Sequence, residues 1–465
     1  MGIDLKQWKF INLFKIFIIS QPILDILTYF SIVYLQLNLT GGIIVRVLFI
    51  GVSLFYICFG NQHPWKKYIV TYIAILFIIL GIGFVFHFIT KPEFYIFTEV
   101  QFLIKTIYFP VMICTILLLF PPNSQMAHFN KNILSSVSIA MVIVGLSMLI
   151  AVLTNTSNTT YKPDYFKTGY IGWFFAGNEI GAIVAIAFPL VLIYSISKTK
   201  QLKDAIYWIP TLLLAISALL IGTKVSYLAI TITIMLSLVI NLIYWILDLT
   251  NAKHNKTTKK VFLLNLALVI IFFVITPYSP TYSNMKAEYD SINEIVQEER
   301  TIHQIEEMNQ SKGHHLEEDS ILKSRVFNIL LSSRDTYFNP IYMDYKNSNF
   351  VNKLFGLGYA GYYESEPKLI EMDFFDLFFS YGLLGFLVLF LPLFYILWTV
   401  IRLFFTNIKA FFQIDYILLL LSVGLSLGVA FFAGHVLFAP AVSIYLAIAL
   451  VLLFYSSYHN TRIKN

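Results

Sequence analysis

Ionisable side chains are scarce in this sequence, and those inside long apolar stretches are the first candidates for chemistry. A charge in a lipid-like environment is costly and persists where it has a use or a partner. Arg46 lies just inside one end of the second apolar stretch, His87 at the same end of the third, and Lys105 about two turns into the fourth. Glu179 opens the sixth stretch at that level, Lys224 opens the eighth, and His435 sits in the turn between the last two. Asp25, midway along the first stretch, and Asp415, near the opposite end of the eleventh, depart from this pattern. Singly, each is equally well read as a snorkelling or helix-pairing side chain. Their shared depth favours a water-accessible, net-positive recess near one face. Such a recess suits a lipid whose head carries phosphate or pyrophosphate, which Lys neutralises and Arg binds bidentately. A sugar on that head would project toward the loop residues Tyr337, Phe338, Tyr342, Tyr345, Tyr359, Tyr362 and Tyr363, whose aromatic faces suit carbohydrate but equally read as the aromatic belt of a membrane interface.

Three segments are more specific than composition. Gly222-Thr223-Lys224 with Ser226 is a tight turn holding a cation at a helix start, where backbone N–H groups also favour anions; Lys224 reads equally as a boundary anchor. The segment Ser324 to Asp335 reads as a short helix with Arg325 and Arg334 and a polar end, followed by Gly356-Leu357-Gly358. Glu371, Asp373 and Asp376 put three carboxylates at the mouth of the tenth apolar stretch, ahead of Gly382-Leu383-Leu384-Gly385; Asp376 also reads as a cap within its own helix. His314-His315, with Glu317, Glu318 and Asp319 behind, is poorly spaced for a metal and reads as a solvated loop.

The elements that must position these residues follow from composition. A chain of 465 residues, 58% hydrophobic and 12% charged, has more apolar surface than a soluble fold could bury. In lipid the backbone must satisfy itself within each segment, so long apolar runs read as helices and the fold class is all-α, polytopic and membrane-embedded. About twelve spans fall near 11–37, 42–60, 67–89, 98–120, 132–154, 179–197, 205–221, 225–246, 261–277, 371–401, 412–434 and 436–456. This divides the chain into helices 1–9 (1–277), a large hydrophilic loop (278–370) and helices 10–12 (371–465). Lysines concentrate in alternate loops, which by the positive-inside rule puts both termini in the cytoplasm and the large loop outside. Within that loop, 285–310 reads as a surface helix with Ile292, Ile295, Ile302 and Ile305 on one stripe. The net charge of +6 is spread over short loops, which argues against nucleic acid. Cys58 and Cys114 fall inside helices and read as packing residues. The first apolar stretch is too long for a signal-peptide core, and no cleavage site follows it, so it reads as a retained helix.

In this order and with this topology, these segments resemble the O-antigen ligase and polysaccharide polymerase superfamily of bacterial membrane proteins. The resemblance runs from Gln21-Pro22-Ile23-Leu24-Asp25 to the Gly-Leu-Leu-Gly turn. Lys224 matches the cation that opens a helix after a short outer loop in that family. Arg325 matches the arginine of a short helix in the large loop, Arg334-Asp335 matches a variant of that helix's end, and Gly356 and Gly358 match its closing Gly-x-Gly. The family's ligases carry a histidine eleven residues before the Gly-Leu-Leu-Gly glycine, where this chain has Glu371, an acidic residue as in polymerase-like relatives. The resemblance implies glycosyl transfer from an undecaprenyl-pyrophosphate-linked glycan to a hydroxyl of an acceptor glycan, at the outer face of the bacterial plasma membrane. Pyrophosphate is a good leaving group, so the reaction needs cations and a base but no metal or cofactor. Arg325, Glu371 as base and Asp373 as its support are the catalytic candidates; Lys224, Arg334, Arg46 and Lys105 are the donor-binding ones. Polymerisation is favoured over ligation, and a complex with a flippase or chain-length regulator is compatible with it. A lipid-sugar flippase is the main rival, since it too needs a cationic cavity. A polyprenyl-phosphate glycosyltransferase with its carboxylate in the first outer loop is disfavoured, because residues 38–41 contain no acid.

Overall fold

The computed structural model describes residues 5–36, 40–60, 63–120, 126–161, 167–250, 256–308, 334–362 and 368–462. Twelve helices among them are long and apolar enough to cross a membrane. Helices α1 (Leu5–Leu35), α2 (Gly41–Phe59), α3 (Lys66–Thr90), α4 (Ile96–Leu119) and α5 (Met126–Leu153) come first. A small antiparallel hairpin, β1 (Asn158–Thr159) with β2 (Tyr170–Gly172), leads to α6 (Gly177–Lys198). The seventh span opens as a 3-10 turn, Leu202–Trp208, before α7 (Ile209–Ile221); α8 (Lys224–Thr250) and α9 (Lys256–Ile275) follow.

The hydrophilic segment contributes α10 (Pro280–Met308), α11 (Asp335–Asn347) and α12 (Phe350–Phe355). The chain then enters α13 (Asp373–Thr406), a short α14 (Ile408–Phe411), α15 (Ile414–Phe432) and α16 (Pro440–Arg462). The surface helix expected over 285–310 therefore begins earlier, at Pro280. Of its isoleucine stripe, the side chains of Ile295, Ile302 and Ile305 lie outside the described residues. The tenth span starts two residues later than expected, so Glu371 precedes the helix. Arg334 stands at the start of α11, while residues 324–333 of the short helix read there, Arg325 among them, lie outside the described residues, as do His314 and His315.

Burial sorts the spans. The central windows of α6 and α16 are each 89% buried, whereas those of α3 and α8 are 28% buried and present the rest to lipid. Near-continuous apolar faces on α6 and α16 suit helices surrounded by other helices; α6 packs against α5, α7, α8, α15 and α16, and α16 also against α4 and α13. Large side chains such as Phe55, Ile78 and Trp398 stand exposed on the perimeter, as expected where lipid is the solvent.

The long α13 is not continuous. Gly382 has φ 64° and ψ −170°, a conformation open essentially to glycine alone, and it interrupts the ladder of hydrogen bonds. The carbonyls freed by this break are taken up by the Gly-x-Gly turn. Leu357 N–H donates to Phe379 O at 2.8 Å, and Gly358 N–H to Ser380 O at 3.1 Å. A Cβ on Gly356 would collide with Ser380 O, so the approach requires a glycine on both sides. Irregular backbone at a membrane depth is tolerated only where protein satisfies it, as here.

Candidate functional site

A cavity of about 640 Å³ lies between α1, α2, α4, α6 and the first residues of α16. Arg46 and Lys105 line it together with Asp25 and Glu179. The expected recess therefore exists at Arg46 and Lys105, but its lining charges balance, two cations against two carboxylates. The physical reason is compensation: Arg46 Nη2 pairs with Asp25 Oδ1 at 2.5 Å, with both side chains largely buried. Gln21 completes the clamp. Its Nε2 donates to Phe17 O at 3.1 Å, which leaves Oε1 to accept from Arg46 Nε at 3.0 Å. Lys105 makes no ion pair within 4.0 Å among the described residues. The hydroxyl of Tyr108, a fully buried lining residue, has no hydrogen-bond partner among the described residues. Such orphaned groups are rare in native interiors and mark a place where a bound polar atom fits. The cavity opens between α2 and α4, where the lining residues Val47, Val100 and Phe97 are exposed, Phe97 by 89%.

Beside this cavity, α3 and α4 hold the Gly-x-Gly turn. His87 Nε2 bonds with Phe355 O at 3.0 Å, and Lys91 Nζ donates to Tyr359 O at 2.6 Å. Glu99 receives Lys91 at 2.7 Å and Tyr359 N–H at 3.0 Å. Burial pushes the Lys91 ammonium below its ordinary range, and Glu99 opposes the shift by pairing with it. His87 is thus a brace for the turn rather than a member of the recess.

The three carboxylates before α13 have separate fates. Asp373 is fully buried and accepts the N–H groups of His435, Val436 and Leu437, each at 2.7 Å, which fixes the turn between α15 and α16. Asp376 accepts Ile370 N–H at 2.8 Å and Met372 N–H at 3.0 Å, the capping role read from sequence as its alternative. Glu371 alone keeps an accessible carboxylate, with φ at +66°, unusual for a residue with a side chain. Arg334 holds it twice, through Nε to its carbonyl at 3.1 Å and Nη2 to its carboxylate at 3.7 Å, and also donates to Ala433 O at 3.3 Å. His435 Nε2 stands 3.9 Å from Glu371 Oε2.

The interaction with His435 is the largest influence on Glu371 and holds its carboxyl below the usual range against the effect of burial. Burial alone would lower the His435 imidazole; Glu371, Glu179 and Asp373 together outweigh it and raise the ring above its ordinary 6.5. His435 also acts on Glu179, a wall residue of the cavity, and so links the two charge clusters.

Lys224 is elsewhere. It is ion-paired to Glu288 of α10, which also reaches Lys167 at 3.4 Å. Asn284 seats α10 on the turn by donating to Gly222 O at 2.9 Å, where Gly222 has φ 77°. Lys224 does not line the cavity of Arg46 and Lys105, and neither do Arg334, Glu371 and Asp373.

Sequence reasoning placed Arg46, Lys105, Glu179 and His435 at one level but missed Glu288, Lys91, Glu99 and Tyr108. Glu288 was discoverable only as an acid within the amphipathic α10, and the remaining three carried no distinguishing signal. Among the described residues no cluster of three or more metal-ligating side chains occurs. A comparison with curated proteins finds no match. The family described as O-antigen ligase like membrane protein matches residues 7–457, nearly the whole chain and every element of the sites above. The chain therefore belongs to the O-antigen ligase like membrane proteins, and with them to the multi-pass membrane enzymes of lipid-linked polysaccharide assembly.

Proposed function

We propose that the protein transfers a glycan from an undecaprenyl-pyrophosphate donor to a hydroxyl of an acceptor glycan, at the outer face of the bacterial plasma membrane, and that it does so repeatedly, as a polymerase. The observation that carries this reading is the cavity open toward lipid beside Phe97, with a clamped Arg46 and, among the described residues, no ion pair to Lys105 and no hydrogen bond to the Tyr108 hydroxyl. A polyprenyl tail stays in the bilayer through that opening. The pyrophosphate lies against Lys105, Tyr108 and Arg46, and the first sugar points toward Glu371, Arg334 and His435.

In the transfer, the acceptor oxygen bonds to the anomeric carbon as the bond from that carbon to the pyrophosphate oxygen breaks. The electron pair leaves with the pyrophosphate, where cations in a water-poor site stabilise it. The hydroxyl proton passes to the Glu371 end of the site. Asp373 supports this end by holding the turn that carries His435. Lys224 and Arg325 are further donor-binding cations, Lys224 outside this cavity, by exchanging Glu288 for a donor phosphate on the way in or out.

Supplying purified protein in lipid with a single lipid-linked repeat unit tests the proposal. A ladder of longer lipid-linked chains is expected. One adduct formed only with a foreign acceptor identifies a ligase, and transbilayer movement of the donor without any product overturns the enzyme reading in favour of a flippase.

A further inference from the structure

We infer that His435 is the group that takes the proton from the acceptor hydroxyl, with Glu371 as the positioning residue that orients its ring. This rests on the glycosyl-transfer reading above and assigns its general base. The geometry is that of an oriented base. His435 Nε2 faces Glu371 Oε2 at 3.9 Å, Arg334 holds Glu371 from the other side, and three backbone N–H bonds to Asp373 fix the turn that carries the imidazole. Both residues have positive φ, His435 at 61° and Glu371 at 66°, so each side chain is aimed by a backbone that ordinary packing would not select. The separation is one small adjustment or one water from a hydrogen bond, as is common for catalytic pairs before substrate arrives.

An imidazole that directs Nε2–H at a carboxylate presents the lone pair of Nδ1, and the carboxylate stabilises the imidazolium once the proton has moved. Glu371 is the poorer base of the two. Its carboxyl is held low by His435, and Arg334 and Lys368 reinforce the effect. The groups facing His435 are Glu371 and Asp373 around the start of α13 and Glu179 on α6, with Arg334 behind Glu371. His435 thus stands between the cavity that would hold the pyrophosphate and the loop cluster that would admit an acceptor.

Stoichiometrically, the hydroxyl proton goes to His435 Nδ1, the oxygen's electron pair forms the new glycosidic bond, and the pair of the broken bond departs on pyrophosphate. Water or a later pyrophosphate oxygen takes the proton from the ring.

The test uses full-length protein in lipid nanodiscs with a lipid-linked oligosaccharide donor, its initial rate followed from about pH 5 to pH 9, where only His among unperturbed side chains titrates near the middle. Wild type is expected to gain activity as His435 loses its proton. His435→Asn tolerates the left-handed backbone and should lose at least about 100-fold in kcat, leaving donor KM little changed. Glu371→Gln should retain activity at about one-tenth and shift the midpoint toward acid, since removing a carboxylate lowers the imidazole pKa.

NMR titration of labelled histidine in both backgrounds reads the same coupling without turnover. Activity of His435→Asn within about threefold of wild type overturns the assignment, given the size expected of a general base. Loss in Glu371→Gln with an unmoved His435 titration overturns it too and makes Glu371 the base. Absence of any transfer by wild type overturns the underlying functional reading and this inference with it.

Discussion

Replacing Asp25 with Asn keeps the size of the side chain and removes only the charge that holds Arg46. The pair is short, at 2.5 Å, with 11% and 17% of the two side chains exposed. Breaking a buried ion pair from one side costs about 3–5 kcal/mol, because the remaining charge is left without compensation. Here Gln21 still accepts from Arg46 at 3.0 Å and the cavity is open at one side, which puts the expected loss near the lower end, about 3 kcal/mol. The same change should strengthen anion binding. In the wild type an incoming phosphate must compete with Asp25 for the guanidinium, whereas in Asp25→Asn it does not. If the whole compensation is recovered by the ligand, pyrophosphate affinity rises by up to about a hundredfold, the equivalent of roughly 3 kcal/mol. Thermal unfolding in nanodiscs, with inorganic pyrophosphate titrated in, measures both effects. The variant should unfold several degrees lower without ligand and recover more than wild type with it, as linkage requires of a ligand that binds only the folded state. A variant that binds pyrophosphate no more tightly than wild type would refute the placement of Arg46 at the donor head.

Tyr108→Phe deletes a hydroxyl with no partner among the described residues, so the empty protein should be as stable or up to about 1–2 kcal/mol more stable, while donor affinity falls about tenfold for a lost hydrogen bond to phosphate. Lys224 is 43% exposed, so its pair with Glu288 contributes under about 1 kcal/mol to stability. Glu288→Gln should leave the unfolding temperature nearly unchanged and keep or raise transfer activity, whereas Lys224→Ala should lower activity; equal rates in both would remove Lys224 from the donor site. Gly382→Ala places a Cβ 2.6 Å from Leu354 O in a conformation that only glycine adopts, and size-exclusion chromatography should show loss of folded protein. The Glu371–His435 pair should give a bounded pH signature. The contribution of Glu371, whose pKa is lowered, is present above its ordinary 4.5 and lost as pH falls through the folded value, while that of His435, whose pKa is raised, is present below 6.5 and lost as pH rises through its folded value. Unfolding temperatures of wild type minus those of His435→Asn should therefore peak between these limits and shrink on either side.

The spans were legible because hydropathy is a property of neighbours along the chain, and a run of 18 or more apolar residues has few other uses. The depth of Arg46, Lys105, Glu179 and His435 followed from where each lies within its run. Partnership was not legible. Asp25 is 21 residues from Arg46 and Glu288 is 64 from Lys224, and both pairings depend on how helices lean on one another. For the same reason a net-positive recess was expected where the lining charges balance. Glu371, Asp373 and Asp376 look alike as letters, yet one turn of backbone gives one of them an accessible carboxylate and buries the other two against N–H groups. The meeting of Gly356 with the break at Gly382 was equally hidden, since both are readable as turns but nothing local says that one fills the other's missing hydrogen bonds.

The ion pairs differ in a way that separates bracing from binding. Lys91 and Glu99, at 2.7 Å with 2% and 6% of their side chains exposed, also spend their remaining valences on Tyr359, so an anion has nothing to take up there. Arg334 and Glu371, at 3.7 Å with 12% and 38% exposed, are held by the carbonyl of Glu371 more firmly than by its carboxylate. That carboxylate can turn to a new partner without releasing the backbone. Arg46 is intermediate, tightly paired but bordering the cavity, with Lys105, unpaired among the described residues, on the same wall. A chain that crosses lipid with its cations already neutralised avoids the cost of bare charge. On the proposed reading, a donor phosphate entering this cavity would meet Lys105 first and then compete with Asp25 for Arg46, which would make donor binding and the freeing of Asp25 parts of one exchange.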